Sequence, residues 1–339
     1  MKLLVTGGAG FIGSNFIHHM LNKYRNYSIV NVDLLTYSGN LENLMIGGSN
    51  NYKFIRADIN DQKEINEIFR CEDFDAIVNF AAESHVDRSI LNPYIFIKTN
   101  ILGTQVLLDA ANKFNVSKFV QVSTDEVYGS LGNEGLFTEN SPIAPNSPYS
   151  ASKAGADLLV KAYFETFDLN VNITRCSNNY GPFQFPEKLI PLIISNGLEN
   201  KHVPVYGDGK NVRDWLHVED HCNGLDLVLH KGKEGEVYNI GGNNERENLD
   251  IVRLILKELG KPESLIKFVK DRLGHDRRYA IDSSKISKNL GWKPKIPFEE
   301  GIKNTINWYI ANEKWLDNIK QGEYQSYYEE QYSIPLGTK

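Results

Sequence analysis

Tyr149 and Lys153 stand four residues apart in Tyr149-Ser150-Ala151-Ser152-Lys153, a spacing that puts both side chains on one face of a helix. A phenol with its ordinary pKa of about 10 is a poor base at neutral pH. A neighbouring ammonium stabilises the phenolate and lowers that value. The pair can then take an alcohol proton while the adjacent carbon gives up hydride. Earlier in the chain, Ser123-Thr124-Asp125-Glu126-Val127-Tyr128-Gly129 offers the Thr124 hydroxyl as a second partner for that alcohol, and two adjacent carboxyls beside it. Neighbouring acids repel, so one can stay protonated as an acid while the other serves as a base. The alternative is that Asp125 and Glu126 only cap the turn that follows.

Hydride needs an acceptor, and Thr6-Gly7-Gly8-Ala9-Gly10-Phe11-Ile12-Gly13 supplies a place for one. Gly7, Gly10 and Gly13 let backbone approach a pyrophosphate, at the N-terminus of a helix whose free N–H groups favour an anion. Asp33 ends the next apolar run, twenty residues beyond Gly13. A carboxylate there accepts both adenosine ribose hydroxyls and repels a 2′-phosphate, which favours NAD over NADP. Asp58 either accepts from the adenine amino group or caps the next helix.

These groups need elements to hold them. Strands are predicted at Lys2–Thr6, Ser28–Asp33, Lys53–Ala57, Ala76–Phe80, Lys118–Ser123 and Asn172–Cys176. Helices are predicted at Phe11–Lys23, Gln62–Arg70, about Tyr94–Asn115 and about Ser147–Phe167. That alternation predicts an α/β fold, a Rossmann-like doubly wound parallel sheet that presents its site beyond the strand carboxyl ends. Residues 1–179 form the expected NAD-binding domain. Residues 180–339 form a smaller, mainly nucleotide-sugar-binding α/β domain, some of whose segments return to the first sheet. In that second part a strand is expected at Glu236–Ile240 and helices at Asn248–Leu259, Ser283–Leu290 and Phe298–Asn312. No feature is assigned to the Tyr- and Gln-rich tail after Gly322.

The charge balance, 37 Lys and Arg against 43 Asp and Glu, argues against nucleic acid or an anionic membrane surface as partner. Cys71, Cys176 and Cys222 read as reduced thiols, and no apolar run is long enough for a membrane span. A cytoplasmic protein is expected. The histidines, including the adjacent His18 and His19, show no ligand spacing with carboxylates, so no metal is expected.

The glycine loop, Thr124 and the Tyr149/Lys153 pair together resemble the extended short-chain dehydrogenase/reductase family. Within it, the 123–129 segment resembles the dTDP-glucose 4,6-dehydratases. Matching blocks run along nearly the whole chain, among them Asn31–Asn40, Ala81–Ser89, Asn178–Pro182, Arg213–Asp220 and Gly274–Tyr279. The resemblance implies a lyase with NAD as cofactor and dTDP-glucose as substrate. Tyr149, helped by Lys153, would take the O4 proton, Glu126 the C5 proton, and Asp125 would protonate the departing C6 hydroxyl. It further implies Phe11, Ile12, Ile59, Ala81, Ala82, Ser84, Thr99 and Asn179 at the NAD site, beside the glycines, Asp33 and Asp58. Ser84, Asn178, Lys188, Leu189, Val205, Tyr206 and Asn248 would meet the nucleotide-sugar. His85 and His275 would join them, His85 as a hydrogen-bonding or structural group rather than a base. Arg213 and Arg278 suit a diphosphate, the alternative being surface ion pairs. Leu273 stands where the family pattern has proline, which loosens the expectation for that loop. Helices near 94–115 and 147–167 resemble the pair through which members dimerise, so a homodimer is implied. Rival readings are a nucleotide-sugar 4-epimerase, a dehydratase of another nucleotide-sugar, and a non-catalytic dinucleotide sensor.

Overall fold

The computed structural model describes residues 1–45 and 50–320; residues 46–49 and the tail, with its stretch beyond Gly322, lie outside the described residues. The first strands are β1 (Lys2–Thr6), β2 (Ser28–Asp33), β3 (Tyr52–Arg56), β4 (Ala76–Asn79), β5 (Lys118–Thr124) and β6 (Val171–Cys176); β4, β5 and β6 are buried throughout, whereas β3 at the sheet edge is only partly so. Between them come α1 (Phe11–Lys23), α2 (Gln62–Cys71), α3 (Val86–Leu91), α4 (Pro93–Phe96), α5 (Thr104–Lys113) and α6 (Pro148–Phe167). After β7 (Asn178–Tyr180) come α7 (Leu189–Leu198), β8 (Val203–Tyr206), β9 (Val212–His217) and α8 (Val218–Lys231). Next are β10 (Val237–Ile240), β11 (Glu245–Glu247), α9 (Asn248–Glu258) and β12 (Ile266–Val269), then α10 (Ser284–Leu290), α11 (Phe298–Ala311) and α12 (Glu313–Lys320).

The main sheet has seven parallel strands in the order β10-β6-β5-β4-β1-β2-β3. Alternate residues of each strand face opposite layers. Leu4, Ile77 and Phe119 pack with Ile65 of α2, Leu107 of α5 and Val160 of α6. Leu3, Val78 and Val120 pack on the other face with Phe16 of α1, Leu225 of α8 and Ile286 of α10. A third core joins Ile193, Ile251, Ile255, Ile302 and Trp315 from α7, α9, α11 and α12. The strand β10 therefore belongs to the first sheet, and α8 covers that sheet beside α1, although both follow residue 180.

The long helix expected at 94–115 is present but not uniformly α-helical: α4 runs on into residues Ile97–Gly103, wound as a π-helix, which pass directly into α5. Packing explains the wide turn. Asn100, buried, donates to the Glu83 carbonyl (3.0 Å) and to Ser152 Oγ (2.8 Å), and accepts from the Glu83 N–H (2.8 Å). A Cβ at Gly103 would lie 2.5 Å from Ile59 Cδ1, so only glycine lets this stretch close on the β3–α2 loop.

Candidate active site

The glycine loop joins β1 to α1 as its spacing predicts. Gly7 sits at φ +70°, and a Cβ there would come within 2.5 Å of the Ala81 nitrogen. Gly10 caps α1 without any side-chain hydrogen bond, leaving the first helical amides facing a cavity of about 370 Å³. That volume suits a small-molecule ligand, and free amides at a helix N-terminus suit a phosphate. Asp33 fixes the loop: Oδ2 accepts from the Ala9 N–H (2.9 Å) and Oδ1 from the Leu35 N–H (2.8 Å). Asp58 is not a helix cap. Asp61 caps α2, while Asp58 Oδ1 accepts from Asn60, leaving Oδ2 3.8 Å from Lys98.

The same cavity carries Gly7, Gly10, Phe11, Ile12, Gly13, Asp33, Asp58 and Ile59 at one end. Ala81, Ala82, Ser84, Thr99, Thr124, Asp125, Glu126, Tyr149, Lys153 and Asn179 complete it. Thr99 reaches it from the π-helical turn. Tyr149 lies in the first turn of α6, which starts where it does because Ser147 and Ser150 form a reciprocal capping box and Pro148 follows the cap. Thr124 closes β5 and caps the short 3₁₀ turn Asp125–Tyr128 by accepting from the Glu126 N–H (3.3 Å). The carboxyls thus do not serve as the turn's cap.

Asp125 is buried, and burial, then Glu126 and Asp214, hold its carboxyl well above the usual range. Burial also raises Glu126, though less, because Arg272, Lys188 and Arg213 oppose it in part. The two neighbours are therefore driven apart, with Asp125 the one that keeps its proton. The phenol of Tyr149 departs from expectation. Burial first, then Glu126 and Cys176, push it well above its ordinary value, with Thr124 opposing through a hydrogen bond. Lys153 donates instead to the Val122 carbonyl (2.8 Å), and burial lowers its own pKa against the pull of Asp157. In the protein alone, desolvation outweighs the ammonium.

A second cavity adjoins the first through Ser84, Glu126, Asn178, Glu187 and Lys188, and contains His85, Leu189, Val205, Tyr206, Arg213, Asn248 and His275. Arg213 is buried over the Tyr279 ring (4.4 Å) and donates to the carbonyls of Val212 (2.7 Å) and Asp276 (3.0 Å). Lys188 donates to the Ser84 carbonyl (2.8 Å). Burial, with Lys188 and Arg272 nearby, holds His85 well below its ordinary value, and the imidazole is neutral. Arg278 is the exception: it lines neither cavity but is clamped on Glu245 at 2.7 and 3.0 Å and on the Gly132 and Gly135 carbonyls. Arg272, which lines the second cavity 3.7 Å from Asp87, was missed, as were Glu187 and its ion-pair partner Arg88 (3.1 Å). Their adjacency to Leu273 and Lys188 was the only signal available. Among the described residues no cluster of three or more His, Cys, Asp and Glu suits a metal, and no helix is long and apolar enough to cross a membrane. All three cysteines are free.

The family model described as GDP-mannose 4,6 dehydratase matches residues 4–305. A dTDP-glucose 4,6-dehydratase of Salmonella typhimurium is 51% identical, covering 98% of this chain and 99% of the relative. The crystal structure of dTDP-glucose 4,6-dehydratase from Bacillus anthracis, in complex with NAD, is similar with a TM-score of 0.89 and 53% identity, over 94% of this chain and 100% of that one. The UDP-glucose 4-epimerase of Thermotoga maritima shares the fold at a TM-score of 0.86 but only 30% identity, over 92% and 99%.

Proposed function

Because the chain belongs to the family of the dTDP-glucose 4,6-dehydratases, we propose that it converts dTDP-glucose to dTDP-4-keto-6-deoxyglucose and water. The observation that carries this reading is the Asp125–Glu126 pair, facing the same cavity as the glycine loop, Tyr149 and Lys153. NAD held by Gly7, Gly10 and Gly13 would supply hydride-transfer chemistry between C4 and C6, with no net redox change. The protein's share is proton movement. Thr124 hydrogen-bonds the substrate O4 and Tyr149 takes its proton, a role that requires the Lys153 ammonium, placed on the Val122 carbonyl in the protein alone, to turn to the phenolate when the site is filled. The C4 ketone acidifies C5–H, which Glu126 removes. Asp125 gives its proton to the C6 oxygen, the C6–O bond breaks, and water leaves. Glu126 returns a proton to C5, exchangeable with solvent, as hydride is delivered to C6, and the product is complete.

The raised pKa of Asp125 and the cations around Glu126 support that assignment of acid and base. A 4-epimerase needs neither an acid at C6 nor a base at C5. The second cavity, with Arg213, Lys188 and Arg272 at its wall, suits the dTDP diphosphate; the division of the chain at about residue 180 into cofactor and nucleotide-sugar parts belongs to this reading. Cytoplasmic location belongs to it too, as a biosynthetic step on a soluble nucleotide. Tyr94, Ile97 and Leu102 with Leu158 of α6 are large apolar side chains left exposed, which supports a homodimer through that face.

The test is turnover of dTDP-glucose in deuterium oxide, read by NMR and mass spectrometry. A 4-keto-6-deoxy product with deuterium at C5 is expected. Recovery of dTDP-galactose alone would make the protein an epimerase.

A further inference from the structure

The glycine loop is held from a direction that the mechanism does not use. The peptide of Ala9, in the middle of the loop, is fixed on both sides. Its N–H donates to Asp33 (2.9 Å), and its carbonyl accepts from the Asn40 N–H (3.0 Å) and from Asn43 Nδ2 (2.9 Å). Asn43 is almost wholly buried, in the 3₁₀ turn Leu41–Leu44. Its other side-chain atom, Oδ1, accepts from the indole N–H of Trp315 at 2.8 Å. Trp315 belongs to α12, 272 residues further along the chain. A second contact repeats the tie: Asn318 Nδ2 of α12 donates to Glu42 Oε1 (2.9 Å) in the same turn.

The far side of α12 is rooted in the third core. Trp315 packs edge-on against Trp308 of α11 (5.0 Å between ring centroids) and near Phe183 (6.1 Å). The amide of Asn43 therefore bridges an aromatic cluster of the C-terminal part to the backbone that faces the cofactor cavity. Both of its polar atoms are used, so its orientation is determined: turning the amide over would put an NH₂ against the indole N–H and an oxygen against the Ala9 carbonyl.

We infer that Trp315, acting through Asn43 on the Ala9 peptide, is a positioning residue that sets how long NAD stays bound. The brace keeps the amides of the glycine loop aimed into the cavity that takes the dinucleotide, so losing it loosens the hold on the pyrophosphate. An enzyme that regains its hydride acceptor at the end of each cycle needs no exchange of cofactor, so a slow release suits the reaction. The inference rests on the proposed function only in taking NAD as the ligand of that loop.

Trp315→Phe keeps the ring and loses the N–H. Protein loaded with NAD is desalted and its bound nucleotide measured after acid release; the dissociation rate is followed by chase with excess etheno-NAD. Release is expected to be roughly tenfold faster than in the unsubstituted protein, the size of one buried hydrogen bond. Asn43→Ala should do the same, and the double variant should add little, because both break one bridge. Trp308→Phe perturbs the same aromatic cluster without touching the bridge and should release NAD at the original rate. Unchanged release from Trp315→Phe, additive effects in the double variant, or an equal effect from Trp308→Phe would overturn the inference. Unsubstituted protein that holds no NAD at all would sink the functional reading beneath it as well.

Discussion

Asp125 and Glu126 are adjacent in sequence yet differ in what surrounds them. Asp125 has Glu126 and Asp214 for neighbours, while Glu126 faces Arg272, Lys188 and Arg213. The difference gives each residue its own deletion phenotype. Asp125→Asn cannot deliver a proton to C6, so oxidation at C4 proceeds while elimination stalls. A drop in turnover of about 10²–10⁴-fold is expected, with absorbance of reduced cofactor building up on mixing with dTDP-glucose. Glu126→Gln should show the same drop but also lose exchange of the C5 hydrogen with solvent deuterium. If Asp125→Asn exchanges C5 hydrogen no better than Glu126→Gln, the two roles are not separate. Because the acid must be protonated, turnover should fall as pH rises through the elevated Asp125 value, and Asp125→Asn should lack that limb. Most of these residues were legible because their type and spacing are local: a Tyr and Lys four apart need only a helix. The contact between Lys153 and the Val122 carbonyl was not legible, since it depends on how closely α6 lies on β5.

Elements add constraints that no single residue carries. The π-helical turn Ile97–Gly103 brings Thr99 to the cofactor cavity, and Asn100 within it holds the Glu83 backbone at two points as well as Ser152 of α6. Asn100→Ala leaves a buried N–H and a buried carbonyl unpaired. A loss of about 2–4 kcal/mol is expected in urea unfolding, together with weaker NAD binding by fluorescence titration. A stability loss with unchanged NAD affinity would mean that the turn serves packing alone. The wider winding was not legible in Ile97-Lys98-Thr99-Asn100-Ile101-Leu102-Gly103, since no local sequence signal separates a π-helical turn from an α-helical one. Its cause lies in Ile59 and Glu83, on other elements. Helices α7 and α8 went unpredicted for related reasons. Seven of the residues in Ile190–Leu198 are buried apolar or small groups, so α7 shows no polar face for periodicity to reveal. Helix α8 carries Gly224 at its centre, where a Cβ would lie 3.1 Å from Ile240. A glycine that reads as a helix breaker in sequence sits there in close packing against Ile240 and Trp292. The parallel sheet, by contrast, was readable from short apolar runs alternating with helical patterns, although buried polar residues such as Asn31, Gln121 and Asn172 interrupt those runs.

At the scale of the whole molecule, α8, from the later part of the chain, is sealed against α1 on one face of the main sheet. Asp226 of α8 is buried at that seam. It takes hydrogen bonds from Lys23 (2.5 Å), Tyr24 (3.0 Å) and His19 (3.1 Å) of the α1 end, and lies 2.8 Å from His230 Nδ1. Tyr27, stacked on Tyr24 at 4.5 Å, bonds the other nitrogen of His230 (2.8 Å). Burial alone would raise the Asp226 carboxyl, but His19, His230, Lys23 and Tyr24 outweigh it and hold the group far below the usual range. His230 is shifted the opposite way, upward, chiefly by its bond to Asp226. A depressed carboxyl contributes stability above its unfolded value of about 4, and that contribution is lost as pH falls further. A raised histidine contributes fully below about 6.5 and fades as pH rises through its folded value. The seam is therefore strongest between about pH 4 and 6.5, and weakens on either side. Asp226→Asn removes the charge that both shifts depend on. It should cost about 2–4 kcal/mol near pH 6, since it strips a buried carboxylate from its cations. Between about pH 6.5 and 8 the unsubstituted protein should lose stability that Asp226→Asn no longer has to lose, so the two melting curves converge as pH rises. Calorimetry of both proteins across about pH 4–8, the span in which carboxylate and histidine titrate, decides it: parallel curves would mean that the seam is held by packing of Phe16 and Leu225 and not by charge.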